Sequence, residues 1–284
     1  MNIKQHLFPV DRHLGVKHVP HQPGKPLLKL EDVDVYYENI VALQNINFEL
    51  ETGKRVAVIG PNGAGKSTLF KVIAGLINPS RGKVQIYGSE PGGHICVAYV
   101  AQRSQVDWNF PASVADVVMM GRVGKIGLFK RPAARDWQKV YEALEIVHLQ
   151  DLTRKQISEL SGGQQQRVFI ARALAQEAEL MLLDEPMSGL DLNAQRQIFN
   201  ILDELDQSPI TTMISLHDMK MARERFEKVM LINQKILGFG SAEEVFNSQA
   251  LLDAYQSHIH FIADKDGQLA ISDMCCPDKE GDHD

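Results

Sequence analysis

The chain contains no uninterrupted apolar run of about 18 residues, the length a membrane-crossing helix needs. Its first 26 residues, Met1 to Pro26, lack the apolar core of a secretory leader. The expectation is a protein that stays in the cytoplasm unless a partner holds it at a membrane. Cysteine is scarce: Cys96 stands alone and Cys275 and Cys276 are adjacent. That pattern excludes a disulfide framework and a CxxC site, and fits a reducing compartment. Basic charge is not in excess, because 30 Lys and Arg stand against 36 Asp and Glu for a net charge of -6. The total gives no electrostatic case for nucleic acid as a partner. Internal repeats and low-complexity tracts are missing as well.

What is present is ordinary globular material, with 284 residues of which 44% are hydrophobic and 23% charged. The stretch to about Pro26 is rich in Pro, Gly, Lys and His without an apolar period, and reads as an extension ordered only in part. Leu27 to Tyr37 and Val41 to Leu50 alternate like strands. Arg55 to Ile59, Lys83 to Tyr87, Cys96 to Val100, Leu180 to Leu183 and Thr211 to Leu216 read as further strands. Helical periods cover Ser67 to Leu76, Val114 to Met120, Asp136 to Val147, Gln164 to Ala175 and Gln195 to Leu205. Strands alternating with helices predict a mostly parallel sheet covered by helices. Val114 to Leu160 is dominantly helical and reads as an inserted subdomain, and the acidic end from about Asp273 reads as disordered.

Gly60-Pro61-Asn62-Gly63-Ala64-Gly65-Lys66-Ser67 fits GxxxxGK[ST] between a strand and a helix. Glycines let backbone approach phosphate oxygens, and successive N–H groups then form an anion nest at a helix N-terminus. Lys66 is expected to reach the β- and γ-phosphates, with Thr68 beside it in the nucleotide site, and the Ser67 hydroxyl to ligate Mg²⁺. Leu180 to Leu183 is an apolar strand that ends in Asp184 and Glu185. Asp184 suits a contact to hydrated Mg²⁺, and Glu185, at the carboxyl end of a strand, suits a general base for water. An ordinary strand end with solvated acids is the plain alternative, which the nearby phosphate loop weakens.

Leu160-Ser161-Gly162-Gly163-Gln164 lies between those two motifs. This LSGGQ string resembles the signature of the ATP-binding-cassette ATPases, and the chain resembles that family from about Leu27 to Gly240. The resemblance implies an α/β fold: a P-loop NTPase-type nucleotide-binding domain with an antiparallel β subdomain and an inserted helical subdomain at about 114–160. On this reading 1–26 is an N-terminal extension, 27–240 the ATPase domain, and 241–284 a helical segment with an acidic tail. It implies that Ser161, Gly162, Gly163 and Gln164 cap the γ-phosphate of a nucleotide held by a second cassette, so that a head-to-tail homodimer shares two sites. Tyr37 resembles the aromatic that stacks on adenine, with Tyr36 as rival. Gln102 resembles the glutamine that senses Mg²⁺ and γ-phosphate. Ser188-Gly189-Leu190-Asp191 resembles the loop that crosses the dimer interface, and His217 the histidine that helps orient water. Lys66, Gln102, Glu185 and His217 are thus the expected catalytic set, Ser67, Gln102 and Asp184 the expected Mg²⁺ set, and ATP and Mg²⁺ the expected ligands.

One cassette with no span and no long heptad run resembles the separate ATPase subunit of an importer, at the cytoplasmic face of the plasma membrane. Its implied partners are membrane permease subunits and, indirectly, an extracytoplasmic binding protein. Gln102 to Pro111 (QRSQVDWNFP) and Val117 to Arg122 (VVMMGR) resemble ATPase subunits of manganese, zinc and iron importers. Ala101 departs from the proline many members carry there, which bears on loop stiffness and not on catalysis. Siderophore or cobalamin transport, and a soluble ATPase without a membrane partner, are the alternatives. Lys125, Lys130, Arg131 and Arg135, with Phe129 and Trp137 nearby, form a basic run read either as a solvated loop or as a contact for permease or anionic lipid. His6, His13, His18 and His21 crowd one end and His258, His260, Cys275, Cys276 and His283 the other. Imidazole and thiolate suit zinc, yet no spacing here matches a structural zinc motif.

Overall fold

The structure is a computed structural model that describes residues 21–92, 95–127, 130–206, 208–246, 251, 254–255, 261–263 and 269–271. Strands β1 (Leu28–Tyr37), β2 (Ile40–Leu50) and β4 (Arg81–Ile86) form an antiparallel sheet in the order β2-β1-β4. The second sheet has the order β5-β6-β7-β3-β8-β9. Its members are β3 (Arg55–Ile59), β5 (Val97–Val100), β6 (Leu180–Leu183), β7 (Thr211–Leu216), β8 (Lys228–Asn233) and β9 (Lys235–Gly240). All pairings in it are parallel except β8 with β9.

Both faces of the parallel part of this sheet are covered, and β3, β6 and β8 are accordingly apolar along most of their length. The side-chain alternation of a strand divides them between two cores. Val56, Val58, Leu180, Leu182 and Met213 face helix α1 (Lys66–Ile73) and the antiparallel sheet. Ala57, Ile59, Met181, Leu183 and Ile214 face the helices of the opposite core. Those helices include α2 (Val114–Met120), α4 (Ala134–Ile146), α5 (Gly162–Ala175) and α6 (Leu192–Leu205). The short helices α3 (Val123–Ile126), α7 (Met219–Arg225) and α8 (Ala242–Phe246) complete the elements used below. The described residues of 114–160 hold no strand.

Capping fixes where the helices begin. Ser113 accepts from the Asp116 N–H, and Asp116 accepts from the Ser113 N–H, at the start of α2. Asp191 accepts from the N–H groups of Asn193 and Ala194, so α6 starts at Leu192 and not at Gln195. Ser161 does the same for α5, which therefore includes Gly162 and Gly163. Helix α1 ends at Ile73, short of the expected Leu76, because Gly75 takes a left-handed conformation (φ 69°). The sequence reading assigned no strand to β8 or β9, and extended β5 one residue too far, to Cys96.

The ion pair between Arg122 and Asp136 is buried and ties the α2–α3 corner to α4. Arg122 also donates to Glu177 (2.7 Å) and to the Ala175 carbonyl (2.8 Å), fastening both to the end of α5. Among the described residues no helix is long and apolar enough to cross a membrane.

Candidate nucleotide site

The parallel register brings the strand ends into line. Val100 pairs with Leu183, Leu183 with Ile214, and Ile59 with Leu216. Gln102, Asp184, Glu185, His217 and the loop from Gly60 to Lys66 therefore leave the sheet along its one carboxyl edge. Open α/β sheets bind ligands there.

The loop Gly60–Gly65 is shaped by what a side chain would strike. A Cβ on Gly60 would lie 2.0 Å from the Ile232 carbonyl oxygen. A Cβ on Gly65 would lie 2.5 Å from the Ala42 carbonyl oxygen, at a backbone φ of 95°. The loop thus touches β2 and β8, and α1 starts directly from it. Lys66 is buried and curls over the loop, its Nζ donating to the carbonyls of Gly60 (2.7 Å) and Pro61 (3.1 Å).

Asp184 is fully buried, and both of its oxygens accept hydroxyl protons: Oδ1 from Ser215 (2.8 Å) and Oδ2 from Tyr99 (3.0 Å). Ser215 in turn accepts from the Glu185 N–H at 2.7 Å. That bond helps hold Glu185 in a left-handed conformation (φ 48°), which a non-glycine residue adopts only when its surroundings fix it. The Glu185 carboxylate receives Gln102 Nε2 on Oε2 at 2.8 Å and is bonded to His217 Nε2 through Oε1. The His217 hydrogen bond holds this carboxyl below the usual range against the opposing effect of burial, with the charges of His217 and Lys66 adding to it.

Tyr99 and Ser215 were not singled out from sequence. A serine between Ile214 and Leu216 on the fully buried strand β7 was the available signal for one of them. Burial, with the charge and hydrogen bond of Asp184, pushes the Tyr99 phenol well up. Tyr36 and Tyr37 are both exposed on β1, and the Tyr36 N–H is bonded to Ser80.

The LSGGQ residues form a helix start. Ser161 and Gln164 bond reciprocally, with Gln164 Oε1 accepting from the Ser161 N–H at 2.9 Å. Added Cβ atoms on Gly162 and Gly163 would meet Arg103 (3.1 Å) and Ala194 (2.6 Å). Arg103, next to Gln102, donates twice to Gln165 Oε1 (3.0 and 3.1 Å). Trp108 donates to the Arg103 carbonyl and packs edge-on against Phe169. The segment after Gln102 is thereby attached to α5, while Phe110 is exposed.

The donor set suits a small hard cation with a nucleotide. Ser67, Gln102 and Asp184 offer oxygen atoms only, and Gln102 spends its amide N–H on Glu185. The basic run is described at Lys125, Lys130, Arg131 and Arg135; Phe129 lies outside the described residues. So do His6, His13, His18, His258, His260, Cys275, Cys276 and His283.

A family model described as ABC transporter matches residues 43–188, which span the phosphate loop, Gln102, the LSGGQ helix start and the Asp184–Glu185 pair. The chain belongs to the ABC transporter ATPase family. As a member it is an ATPase of a transport system. One relative is the manganese transport system ATP-binding protein MntB of Bacillus subtilis, 42% identical over 84% of this chain and 96% of that protein. A solved metal-chelate type ABC transporter in an inward-facing conformation superposes with a TM-score of 0.72 at 35% identity, over 81% of this ABC ATPase and 89% of that chain. A dimeric bacterial ABC transporter cassette superposes with a TM-score of 0.67 at 26% identity, over 76% of this chain and 98% of that one.

Proposed function

We propose that this ABC ATPase is the ATP-hydrolysing subunit of an importer for a transition metal ion, manganese before zinc or iron. The observation that carries the catalytic part is the convergence of Gln102 and His217 on the Glu185 carboxylate at the sheet edge that also bears the phosphate loop. In this reading Tyr37 stacks on adenine. The N–H groups of Gly60–Lys66, with Ser67 and Thr68 at the helix start, cradle the phosphates. Lys66 exchanges the carbonyls of Gly60 and Pro61 for β- and γ-phosphate oxygens. Ser67 and Gln102 would hold Mg²⁺ directly and Asp184 through water, because both Asp184 oxygens already accept hydroxyl protons. The ion supplies charge neutralisation as the γ-phosphoryl leaves. Glu185 takes the proton of the attacking water, and His217 steadies Glu185 and the water.

Ser161, Gly162, Gly163 and Gln164 of a second copy cover the γ-phosphate, and Asp191 caps the helix that follows the loop crossing between them. The dimeric cassette among the structural relatives supports that homodimer. The permease docks on the segment from Gln102 to Phe110, where Phe110 is exposed and Trp108 passes movement to α5. In this reading the chain works at the cytoplasmic face of the plasma membrane, with an extracytoplasmic metal-binding protein feeding the permease. The manganese cargo is supported by the name and near-complete overlap of the Bacillus relative. A metal chelate such as a siderophore or cobalamin is the second reading, favoured by the metal-chelate type structural relative.

Elemental mass spectrometry of a strain lacking the gene tests the cargo. Cellular manganese should fall in metal-poor medium and recover with the wild-type chain but not with Glu185→Gln. Unchanged manganese, zinc and iron would refute metal import and leave the ATPase assignment standing.

A further inference from the structure

At the opposite, amino-terminal edge of the parallel sheet, three side chains from distant parts of the sequence meet. His21 Nε2 lies 3.1 Å from Cys96 Sγ and 3.5 Å from Glu179 Oε1. All three potential ligand atoms lie within 4.8 Å of one another. Cys96 immediately precedes β5 and Glu179 immediately precedes β6, and the N–H groups of Glu179 and Leu180 both donate to the Cys96 carbonyl. Two of the three positions are thereby locked to each other by backbone. Tyr87 supports the rest. Its hydroxyl donates to Glu179 Oε2 at 2.6 Å, which leaves Oε1 directed at His21. Its ring stacks on the His21 imidazole at 3.9 Å between centroids.

We propose that His21, Cys96 and Glu179 form a binding site for a zinc-class divalent metal ion, which staples the segment before β1 to the sheet edge. Tetrahedral zinc bonded at about 2.0–2.3 Å holds nitrogen, sulfur and oxygen ligands about 3.4–3.6 Å apart. The two separations from His21, 3.1 and 3.5 Å, are close to that, and the third pair, within 4.8 Å, closes by up to about 1 Å on loading. Cys96 binds as thiolate, so its proton passes to solvent on loading. Its sulfur is buried, while His21 and Glu179 are part-exposed, which gives a fourth ligand water an open side. A thiolate with imidazole selects zinc, or ions of similar softness, over manganese and magnesium. Four-residue strands, about 13 Å long, separate this edge from the nucleotide edge. The site therefore stands apart from the Mg²⁺ set of Ser67, Gln102 and Asp184. Its test is independent of the cargo.

The full-length chain would be titrated with zinc, counting bound ions by native mass spectrometry, and with cobalt(II), following the thiolate-to-cobalt charge-transfer absorption. The proposal requires one zinc per chain and a cobalt–thiolate band, both lost in Cys96→Ser and His21→Ala. Tyr87→Phe should weaken zinc by about tenfold, as loss of a supporting hydrogen bond to a ligand does. Cys275→Ser/Cys276→Ser and Lys66→Ala should bind as wild type does. Zinc should slow amide exchange in residues 21–27 of the wild type and not of Cys96→Ser. Circular dichroism shows whether each variant is folded, and Glu179→Gln offers a further ligand deletion if Cys96→Ser is not. Zinc retained by folded Cys96→Ser and His21→Ala, or lost only with Cys275 and Cys276, overturns the proposal.

Discussion

Glu185→Gln is nearly isosteric and removes one negative charge from a carboxylate held on both sides. In the wild type Gln102 Nε2 donates to Oε2 and His217 Nε2 is bonded to Oε1. A glutamine offers one acceptor and one donor there. It can keep Gln102 as its donor if His217 presents Nε2 as an acceptor, so the fold cost should stay near that of one hydrogen bond, about 1 kcal/mol. The chemical cost is larger. Removing a positioned general base lowers the rate about 10²–10⁴-fold, or about 3–5 kcal/mol of transition-state stabilisation. The phosphate loop and Tyr37 are untouched, so ATP affinity should change by less than about threefold, within the effect of that single hydrogen bond. Single-turnover hydrolysis, read beside nucleotide affinity by calorimetry, separates the two. The wild-type pH profile adds a check with a definite sign. The Glu185 carboxyl lies below its ordinary 4.5, so the base is ionised throughout the neutral range and the rate falls only as pH drops through that lowered value. A Glu185→Gln enzyme that turns over at the wild-type rate would remove Glu185 from the role of base. Equal losses in affinity and rate would make it a binding residue.

Two further substitutions test the frame around the site. Arg122→Ala leaves the buried Asp136 carboxylate with only its Ala133 N–H bond (3.0 Å), so the chain should lose about 3 kcal/mol, seen by calorimetry as a fall in Tm of roughly 6–12 °C. Burial raises the Glu177 carboxyl, but Lys125 and Arg122 outweigh it and hold the group at about 2, below its ordinary 4.5. The folded value is the lower one, so this stabilisation is present above pH 4.5 and is lost as pH falls towards 2, more steeply in wild type than in Arg122→Ala. Gly65→Ala puts a Cβ 2.5 Å from the Ala42 carbonyl at a φ of 95°. Left-handed strain alone is about 1–2 kcal/mol, so ATP affinity should fall by about tenfold or more. Wild-type affinity would show that the loop does not need glycine there.

The chemistry was legible in short strings because it depends on backbone shape. GPNGAGKS needs glycine at Gly65 to pass under Ala42, and an apolar strand ending in two acids needs a carboxyl edge on which to display them. The antiparallel partner strands were legible from alternation in β1 and β2. Helix starts were missed by two residues at the Ser161 cap and three at the Asp191 cap, whereas the Ser113-capped start of α2 at Val114 was read correctly. Strands β8 and β9 were not read from their patterns, and β8 completes the core beside β3. The partners of the site residues were least legible. Tyr99 and Ser215 lie 85 and 31 residues from Asp184, and only the sheet register makes them neighbours. Cys96 read as solitary for the same reason, since His21 lies 75 residues before it.

The same register argument explains how events at the nucleotide edge can reach α5. Gln102 lies two residues past the end of β5, and it is tied to Glu185 by one hydrogen bond. Its neighbour Arg103 is tied to Gln165 by two, and Gln165 also donates to the Ile157 carbonyl at 3.0 Å. Trp108 closes the segment by binding the Arg103 carbonyl and packing on Phe169 one turn further along α5. Gly162 leaves room for the Arg103 guanidinium at 3.1 Å, a distance at which a larger side chain would press on it. A shift of Gln102 towards a cation or phosphate would therefore break its bond to Glu185 and pull on Arg103 in one motion. Arg103 is held to α5 by two hydrogen bonds and Gln102 to Glu185 by one, so the single contact is expected to yield first. The Glu185 carboxylate would then lose its Gln102 bond in the same displacement that draws on the LSGGQ helix.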